Sequence, residues 1–125
     1  MLNKTKKSIL IIENDENILN NLFKRFQNVG LFPITAKDGY EGYMRACSEK
    51  PDFIISESLL PSMTGFRLSR LLKYDERYKS IPLILLSEND FEISNNIFSS
   101  CGAGKILKKP FKFSQLLESI GLTTA

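Results

Sequence analysis

One acidic residue of the sequence, Glu57, lies at the end of a predicted buried strand, a position where functional side chains are common. Residues 53–56 read Phe-Ile-Ile-Ser, a short apolar run typical of a buried strand, and Glu57 follows directly. A loop that contains Pro61 and Gly65 comes next, and a helical pattern follows it. In open parallel sheets, ligands bind in the crevice beyond the carboxyl ends of the strands. A carboxylate at this position is therefore a candidate for phosphoryl or metal chemistry.

Other polar residues follow other apolar runs of the chain. Glu13 and Asn14 come after the first run, Ser87 comes after the fourth, and Lys109 comes after the fifth. A parallel sheet would bring these strand ends to one rim. Carboxylate and amide oxygens are hard ligands that suit Mg²⁺. An ammonium group offers a point charge to a phosphate, and a hydroxyl can donate a hydrogen bond to a phosphoryl oxygen.

Five short apolar runs alternate with helical patterns, which predicts βαβ units around a parallel sheet. Pro33 lies inside the second run, and this favours an edge strand because proline cannot donate to a strand ladder. Right-handed crossovers would place helices on both faces and give a three-layer α/β/α sandwich. The predicted strands cover residues 8–12, 31–36, 53–56, 82–86 and 105–107, and the predicted helices cover about 18–30, 38–49, 64–72, 89–102 and 113–120.

Length and composition bound the class of protein. The 125 residues amount to about one domain, expected to span 1–125 with a core over about 8–120. No apolar run approaches the roughly 18 residues of a membrane span, and no signal peptide is expected, so the cytoplasm is the predicted location. Cys47 and Cys101 are predicted to be buried, reduced thiols. The absence of histidine excludes histidine-based catalysis, imidazole metal ligands and phosphohistidine in this sequence.

The segment from Pro51 to Gly65 has a distinctive spacing: Pro-Asp, four residues, an acid, three residues, Pro, three residues, Gly. This spacing resembles the phosphoacceptor segment of receiver domains, the response-regulator half of two-component signalling, and the resemblance extends from Ile9 to Ile120. It implies the flavodoxin-like (βα)5 fold, α/β in class, with a parallel five-stranded sheet of order 2-1-3-4-5. It also implies a cis peptide bond before Pro110, a geometry essentially confined to proline.

The resemblance assigns functional positions one by one. Glu13 and Asn14 fall on the acidic pair that binds Mg²⁺ in the family, and the backbone carbonyl of Leu59 falls on a further metal ligand. Glu57 falls on the phosphoacceptor, which in the family is an aspartate that also contacts the metal. The remaining assignments are the phosphoryl pocket, at Ser87 and Lys109, and the switch position, at Ile106.

Three of these positions depart from the family pattern, and each departure affects the same phosphorylation mechanism. The methylene that glutamate adds at Glu57 moves the carboxylate by on the order of 1 Å, and a misplacement of that size costs roughly 10²-fold in rate. Asn14 removes one charge from the metal site, and Ile106 removes the aromatic ring whose burial reports phosphorylation. The sequence therefore predicts an atypical receiver, or pseudo-receiver. It is expected to have at most weak autophosphotransferase activity and no cofactor beyond weakly bound Mg²⁺.

Two functions from different classes stay open. In the first, the domain signals by protein–protein interaction without aspartyl phosphorylation, and a salt bridge from Glu57 to Lys109 holds an activated-like state. In the second, the domain is a Mg²⁺-dependent phosphoacceptor with slow autophosphotransfer onto Glu57 or the neighbouring Ser56 or Ser58. Mononucleotide binding is disfavoured, because no glycine-rich phosphate loop follows the first strand.

The expected partners are signalling proteins, either a histidine kinase or a downstream effector. Receivers commonly present the face formed by the fourth helix, the fifth strand and the last helix. Here that face would carry Phe91, Lys105, Lys108 and Phe111. A basic face with an apolar spot suits an acidic partner or a homodimer. Nucleic-acid binding is not expected for this domain, because the net charge is only +3 and no arginine-rich recognition helix is present.

Overall fold

The computed structural model describes residues 6–88 and 100–122 of the chain. The fourth predicted helix lies mostly outside these ranges; Ser100 and Cys101 near its end are helical. In chain order the elements are β1 (Ser8–Ile12), α1 (Glu16–Asn28), β2 (Phe32–Ala36), α2 (Gly39–Glu49), β3 (Phe53–Glu57), α3 (Gly65–Lys73), β4 (Leu83–Ser87), β5 (Lys105–Lys108) and α4 (Phe113–Ser119).

The strands form one parallel sheet in the order β2-β1-β3-β4-β5, which confirms the predicted flavodoxin-like topology. β2 is an edge strand, and Pro33 lies opposite Ile9 in its register with β1. The N–H of Phe32 donates to the carbonyl of Lys7 at 2.8 Å. The backbone N–H groups of successive strand residues point in opposite directions. The nitrogen of the next residue, Pro33, therefore faces away from β1. The proline therefore removes no ladder hydrogen bond.

Apolar side chains cover both faces of the sheet. Residues alternate between the faces along each strand, so β1 sends Leu10 and Ile12 to one cluster and Ile9 and Ile11 to the other. The first cluster includes residues of α2 and α3, and the second includes residues of α1 and α4. Burial on two faces explains why the strand sequences are continuous apolar runs rather than alternating ones.

Polar caps fix the helix starts at the carboxyl edge of the sheet. The Asp15 carboxylate accepts hydrogen bonds from the N–H groups of Asn17 at 2.9 Å and Ile18 at 3.1 Å. The Thr64 hydroxyl accepts from the N–H of Arg67 at 3.2 Å. These contacts satisfy donors that a helix leaves unpaired in its first turn. They hold the starts of α1 and α3 beside the ends of β1 and β3.

Strand boundaries agree with the predicted ones to within one residue, and β3 extends to include Glu57 itself. One side-chain prediction, that of Cys47, needs correction, and one apolar residue of α1 is more exposed than its spacing indicates. Ile18 fits the apolar spacing of α1 but is 37% exposed, because it lies on a groove at the edge of the sheet. Cys101 is buried as predicted, whereas Cys47 is only half-buried, at the margin of the first cluster; neither forms a disulfide in the described part of the chain. None of the described helices is long and apolar enough to cross a membrane.

Candidate functional site

The loop after β3 holds the backbone of Glu57 in a close packing arrangement. The N–H of Gly65 donates to the carbonyl of Ser58 at 2.8 Å, and Ser56 Oγ donates to the carbonyl of Glu57 at 2.9 Å. A Cβ atom at Gly65 would lie only 2.3 Å from that Glu57 carbonyl oxygen. Glycine therefore allows α3 to begin this close to the end of β3.

Lys109 follows β5 and reaches across the end of the sheet. Its N–H donates to the carbonyl of Ser87 at 2.8 Å, which anchors its backbone beside β4. The Lys109–Pro110 peptide bond is cis, as the resemblance implied. The ammonium Nζ donates a hydrogen bond to Glu57 Oε1 and lies 3.6 Å from Glu13 Oε1. One lysine thus bridges the carboxylates that follow β1 and end β3.

The structure brings most of the predicted site residues to one cleft of about 390 Å³. Glu13, Asn14, Glu57 and Lys109 line it, and Leu59 lies on its rim with 58% of its surface exposed. Two predicted residues do not line this cleft. Ser87 is fully buried at the end of β4, and Ile106 is half-buried against the first apolar cluster.

Two carboxylates of the cleft, Glu13 and Glu57, are largely shielded from solvent and contact the same lysine. Glu13 is only 4% exposed; its Oε2 accepts from the N–H of Asp15 at 3.1 Å. Its Oε1 accepts no hydrogen bond in the described part of the chain, so its contact with Lys109 is a longer ion pair. A buried carboxylate oxygen without a donor is unfavourable, because the water it loses is not replaced.

Burial and like charge both act on the ionisation of Glu57. Burial raises the pKa of the Glu57 carboxyl, and the charges of Glu13 and Glu88 raise it further against the opposing hydrogen bond from Lys109. For Lys109, burial by itself would lower the pKa. The hydrogen bond to Glu57 and the surrounding carboxylates outweigh burial and raise it. The ammonium is therefore charged at neutral pH, and the carboxylates depend on it.

These side chains do not fit a bound Mg²⁺ as they are arranged. Among residues 6–88 and 100–122, no three acidic, histidine or cysteine side chains converge in a way that would hold a metal ion. Asn14 contributes no charge and is exposed. The Lys109 ammonium already contacts Glu57. A metal would have to compete with this cation for the same oxygens, since Mg²⁺ requires carboxylate oxygens at about 2.0–2.1 Å.

Sequence reasoning missed two acidic residues of the cleft. Glu88 lines it and acts on the pKa of both Glu57 and Lys109. It directly follows Ser87, so the rule that selected residues at strand ends would have found it. Asp15 also lines the cleft, and its N–H holds Glu13. The sequence signal was its place immediately after the Glu13–Asn14 pair.

An apolar groove of about 660 Å³ adjoins the cleft. It lies between the first half of α1 and the segment after β5, and it shares Ile18, Glu88 and Lys109 with the cleft. The other apolar residues that line it are Leu22, Leu86, Pro110 and Phe111. A partner that reached the charged cleft along this side would also contact apolar surface.

The predicted partner face is described only in part. Lys105 and Lys108 are exposed on β5, which is the second edge strand of the sheet. Phe111 is half-buried and lines the groove beside the cleft. Phe91 lies outside the described residues. The described part of this face is basic. Its apolar residue, Phe111, lies on the side nearest α1.

Comparison with known proteins identifies relatives along nearly the whole chain. The sequence model named "Response regulator receiver domain" matches residues 9–121. The chain is 30% identical over 105 residues to the alkaline phosphatase synthesis transcriptional regulatory protein PhoP of Bacillus subtilis, covering 84% of this chain and 43% of that protein. It is 28% identical over 117 residues to protein PilH of Pseudomonas aeruginosa, covering 94% of this chain and 97% of PilH.

Solved structures show the same similarity. The chemotaxis response regulator CheY4 of Vibrio cholerae superimposes with a TM-score of 0.84 at 28% identity, over 93% of this chain and 97% of CheY4. The chain thus spans less than half of PhoP but nearly all of PilH and CheY4.

Proposed function

Because the chain belongs to the response regulator receiver domain family of two-component signalling, we propose that it is an atypical receiver that acts without aspartyl phosphorylation. One observation carries the proposal. Glu57 stands at the phosphoacceptor position, and its Oε1 accepts a hydrogen bond from the Lys109 ammonium. One of the two oxygens that could attack phosphorus is therefore already engaged by a cation whose side chain is only 15% exposed.

Phosphoryl transfer in such a pocket depends on positioning and on charge neutralisation rather than on covalent help from the protein. The attacking carboxylate and the leaving group must lie in line at phosphorus, and the metal and the lysine must contact the phosphoryl oxygens. Here the Lys109 charge neutralises Glu57 instead of a phosphoryl group. Glu57 is also one methylene longer than aspartate, and Asn14 supplies no charge to a metal. Each change weakens the same step.

The same contact supports a fixed signalling shape. A glutamate reaches further than an aspartate, and its carboxylate sits against Lys109 in a way that partly resembles a phosphorylated aspartate in reach and charge. Ile106 packs against the first apolar cluster and has no aromatic ring to move between positions. We propose that the domain presents one activated-like conformation, which a partner recognises directly.

The partner we propose is a signalling protein, either a histidine kinase or a downstream effector, in the cytoplasm. The exposed Lys105 and Lys108 on β5 favour an acidic surface on that partner or a second copy of the chain. Reversing both charges to glutamate should weaken the complex. If neither partner binding nor oligomeric state changed on charge reversal, β5 would not be the interaction surface.

A second candidate function has one observation in its favour. Glu57 remains on an open cleft with 13% of its side chain exposed, so a small phosphodonor has a route to it. Slow Mg²⁺-dependent phosphorylation would require Lys109 to leave Glu57 first. Ser56 and Ser58 are 0% and 1% exposed, which argues against either hydroxyl as the acceptor.

The test is incubation with acetyl phosphate and Mg²⁺ followed by intact-mass spectrometry. We expect the natural chain to gain no phosphoryl group. The matched control is the double variant Glu57→Asp with Asn14→Asp, which restores the family's residues and should become labelled. A phosphoryl group on the natural chain that disappears in Glu57→Gln would overturn the proposal and establish the second candidate.

A further inference from the structure

The segment between β3 and α3, residues 58–64, forms one rim of the cleft and is held at its base. The N–H of Ser58 donates to the carbonyl of Leu86 on β4 at 2.9 Å. The N–H of Gly65 donates back to the carbonyl of Ser58 at 2.8 Å. On this rim segment Leu59 is exposed at the mouth of the cleft. Contacts at the base leave the tip of the segment, residues 61–63, to be held by other residues.

The tip of the rim segment is attached to the start of α2. The N–H of Gly39 donates to the carbonyl of Pro61 at 3.1 Å. The Ser62 hydroxyl donates to Asp38 Oδ1 and accepts from the N–H of Tyr40, each at 3.1 Å. One serine side chain thus joins the N-cap residue of α2 to the first turn of that helix. The rim of the cleft is therefore connected to a helix whose own residues do not line it.

Two features of the backbone show how closely the tip and α2 are matched. Ser62 has a φ of 66°, in the left-handed region that residues with a Cβ atom rarely adopt. Such a conformation persists only where the surrounding contacts enforce it. A Cβ atom at Gly39 would lie 1.7 Å from the carbonyl oxygen of Met63. Glycine therefore allows α2 to begin directly against the tip.

We propose that Asp38 and Ser62 form a latch between α2 and the rim segment, which fixes the tip and thereby holds Leu59 in one position at the mouth of the cleft. This inference deepens the proposed function and rests on it, because a domain that signals through one fixed shape requires a fixed rim beside Glu57. Asp38 and Ser62 are positioning residues, since neither lines the cleft itself. They act on the partner surface through Leu59.

The latch can be opened without dismantling α2. The helix packs through its buried residues Gly42 and Ala46, which the Ser62 hydroxyl does not contact. Asp38 has a second task, because the oxygen that binds Ser62 also accepts from the N–H of Glu41 at 2.8 Å and caps the helix. Loss of the Ser62 hydroxyl should therefore loosen the rim segment locally while the sheet stays folded.

The test compares Ser62→Ala with the natural chain by amide hydrogen exchange and by the NMR order parameters of the Leu59 methyl groups. The informative amides are those of Gly39 and Met63, which donate to Pro61 rather than to Ser62. We expect exchange at least about tenfold faster at both, since one lost hydrogen bond changes an opening equilibrium by about that factor. The Leu59 order parameters should fall. The matched control, Ser48→Ala, removes an exposed hydroxyl on the same helix and should change neither.

Unchanged exchange at Gly39 and Met63 in Ser62→Ala would overturn the inference, as would equal acceleration in the middle of the sheet at Ile55, which would indicate a loss of global stability. Asp38→Asn keeps an acceptor oxygen for Ser62 and should exchange like the natural chain. If Ser62→Ala does not fold, Ser62→Gly is measured instead, because glycine adopts the left-handed conformation without strain and still lacks the hydroxyl. Failure of both variants to fold would also overturn the inference.

These outcomes are separate from failure of the proposed function. Phosphoryl uptake by the natural chain would refute the proposed function even if Ser62→Ala loosened the rim segment as expected. Unchanged exchange in Ser62→Ala, with a natural chain that stays unphosphorylated, would refute only the latch.

Discussion

The interior of the sheet and the pocket at its carboxyl edge are both buried, but they contain opposite kinds of side chain. Ile9, Ile55 and Leu83 are fully buried in the interior. Glu13, at 4% exposure, is nearly as inaccessible but carries a charge. Burial of apolar surface stabilises the fold by about 25 cal/mol per Å². Burial of charge costs free energy unless the charge is paired and hydrogen-bonded. The interior therefore accounts for the stability of the fold, and the pocket is the candidate functional site.

The largest effect should come from breaking the interior. Ile55→Ala, at a fully buried position in the middle of β3, should lower the free energy of unfolding by about 2–5 kcal/mol, because a cavity forms where the side chain was. Denaturant unfolding measures this. Leu71→Ala, at a residue that is 38% exposed on α3, is the control and should cost less than about 1 kcal/mol. Similar losses at both positions would contradict this assignment of the core.

A smaller effect is expected where the backbone packs against the pocket. Gly65→Ala would place a Cβ atom 2.3 Å from the Glu57 carbonyl oxygen and should cost about 1–3 kcal/mol through local displacement. At Gly104 the corresponding atom would lie 3.6 Å from the nearest backbone oxygen, an ordinary contact. Gly104→Ala should therefore be close to neutral in the same unfolding experiment. If the two alanine variants were equally stable, the inferred close contact between residue 65 and the Glu57 carbonyl oxygen would be wrong.

The smallest effect is a pH dependence that belongs to the pocket alone. The folded-state pKa of Glu57 is raised above its ordinary value of 4.5, with burial as the main cause. The folded state then binds this proton more tightly than the unfolded state does. The contribution of Glu57 is favourable below the ordinary value and is lost as the pH rises through the raised one. Relative to Glu57→Gln, the natural chain should lose stability over that interval and then level off.

This dependence is measured by urea unfolding at several pH values in the presence of a chelator, so that metal does not contribute. Ile55→Ala should show the same pH profile as the natural chain, displaced downward, because it lacks a titrating group. A constant difference between the natural chain and Glu57→Gln across the acid range would show that the pocket does not perturb Glu57.

The contrast between interior and pocket also explains what could be predicted from the sequence. The strands were predictable because full burial requires continuous apolar runs such as residues 8–12 and 82–86. Pro33 identified an edge strand through its missing donor. The strand ends predicted that Glu57 and Lys109 share one rim, and the salt bridge expected from the resemblance to receiver domains is present. In each case a local pattern carried the information.

Other features depend on side chains that meet from distant parts of the chain. Ile18 has the spacing of a core residue, and its exposure follows from a groove completed by Pro110 and Phe111. That Glu13 Oε1 accepts no hydrogen bond from the residues the structure describes depends on the position of the Lys109 ammonium. Spacing within one helix or strand does not encode such positions. Glu88 is different, since its place directly after β4 can be identified from the sequence.

The most direct test of the central claim is an amide NMR titration of the natural chain with Mg²⁺ and then with Mg²⁺ plus beryllofluoride, a phosphoryl mimic. If Lys109 holds Glu57 and the domain signals through a fixed shape, the amide signals of Glu13, Glu57, Ser87 and Lys109 should stay in place through both additions. Saturable shifts at these residues that require both Mg²⁺ and beryllofluoride would contradict the account and establish a working phosphorylation switch.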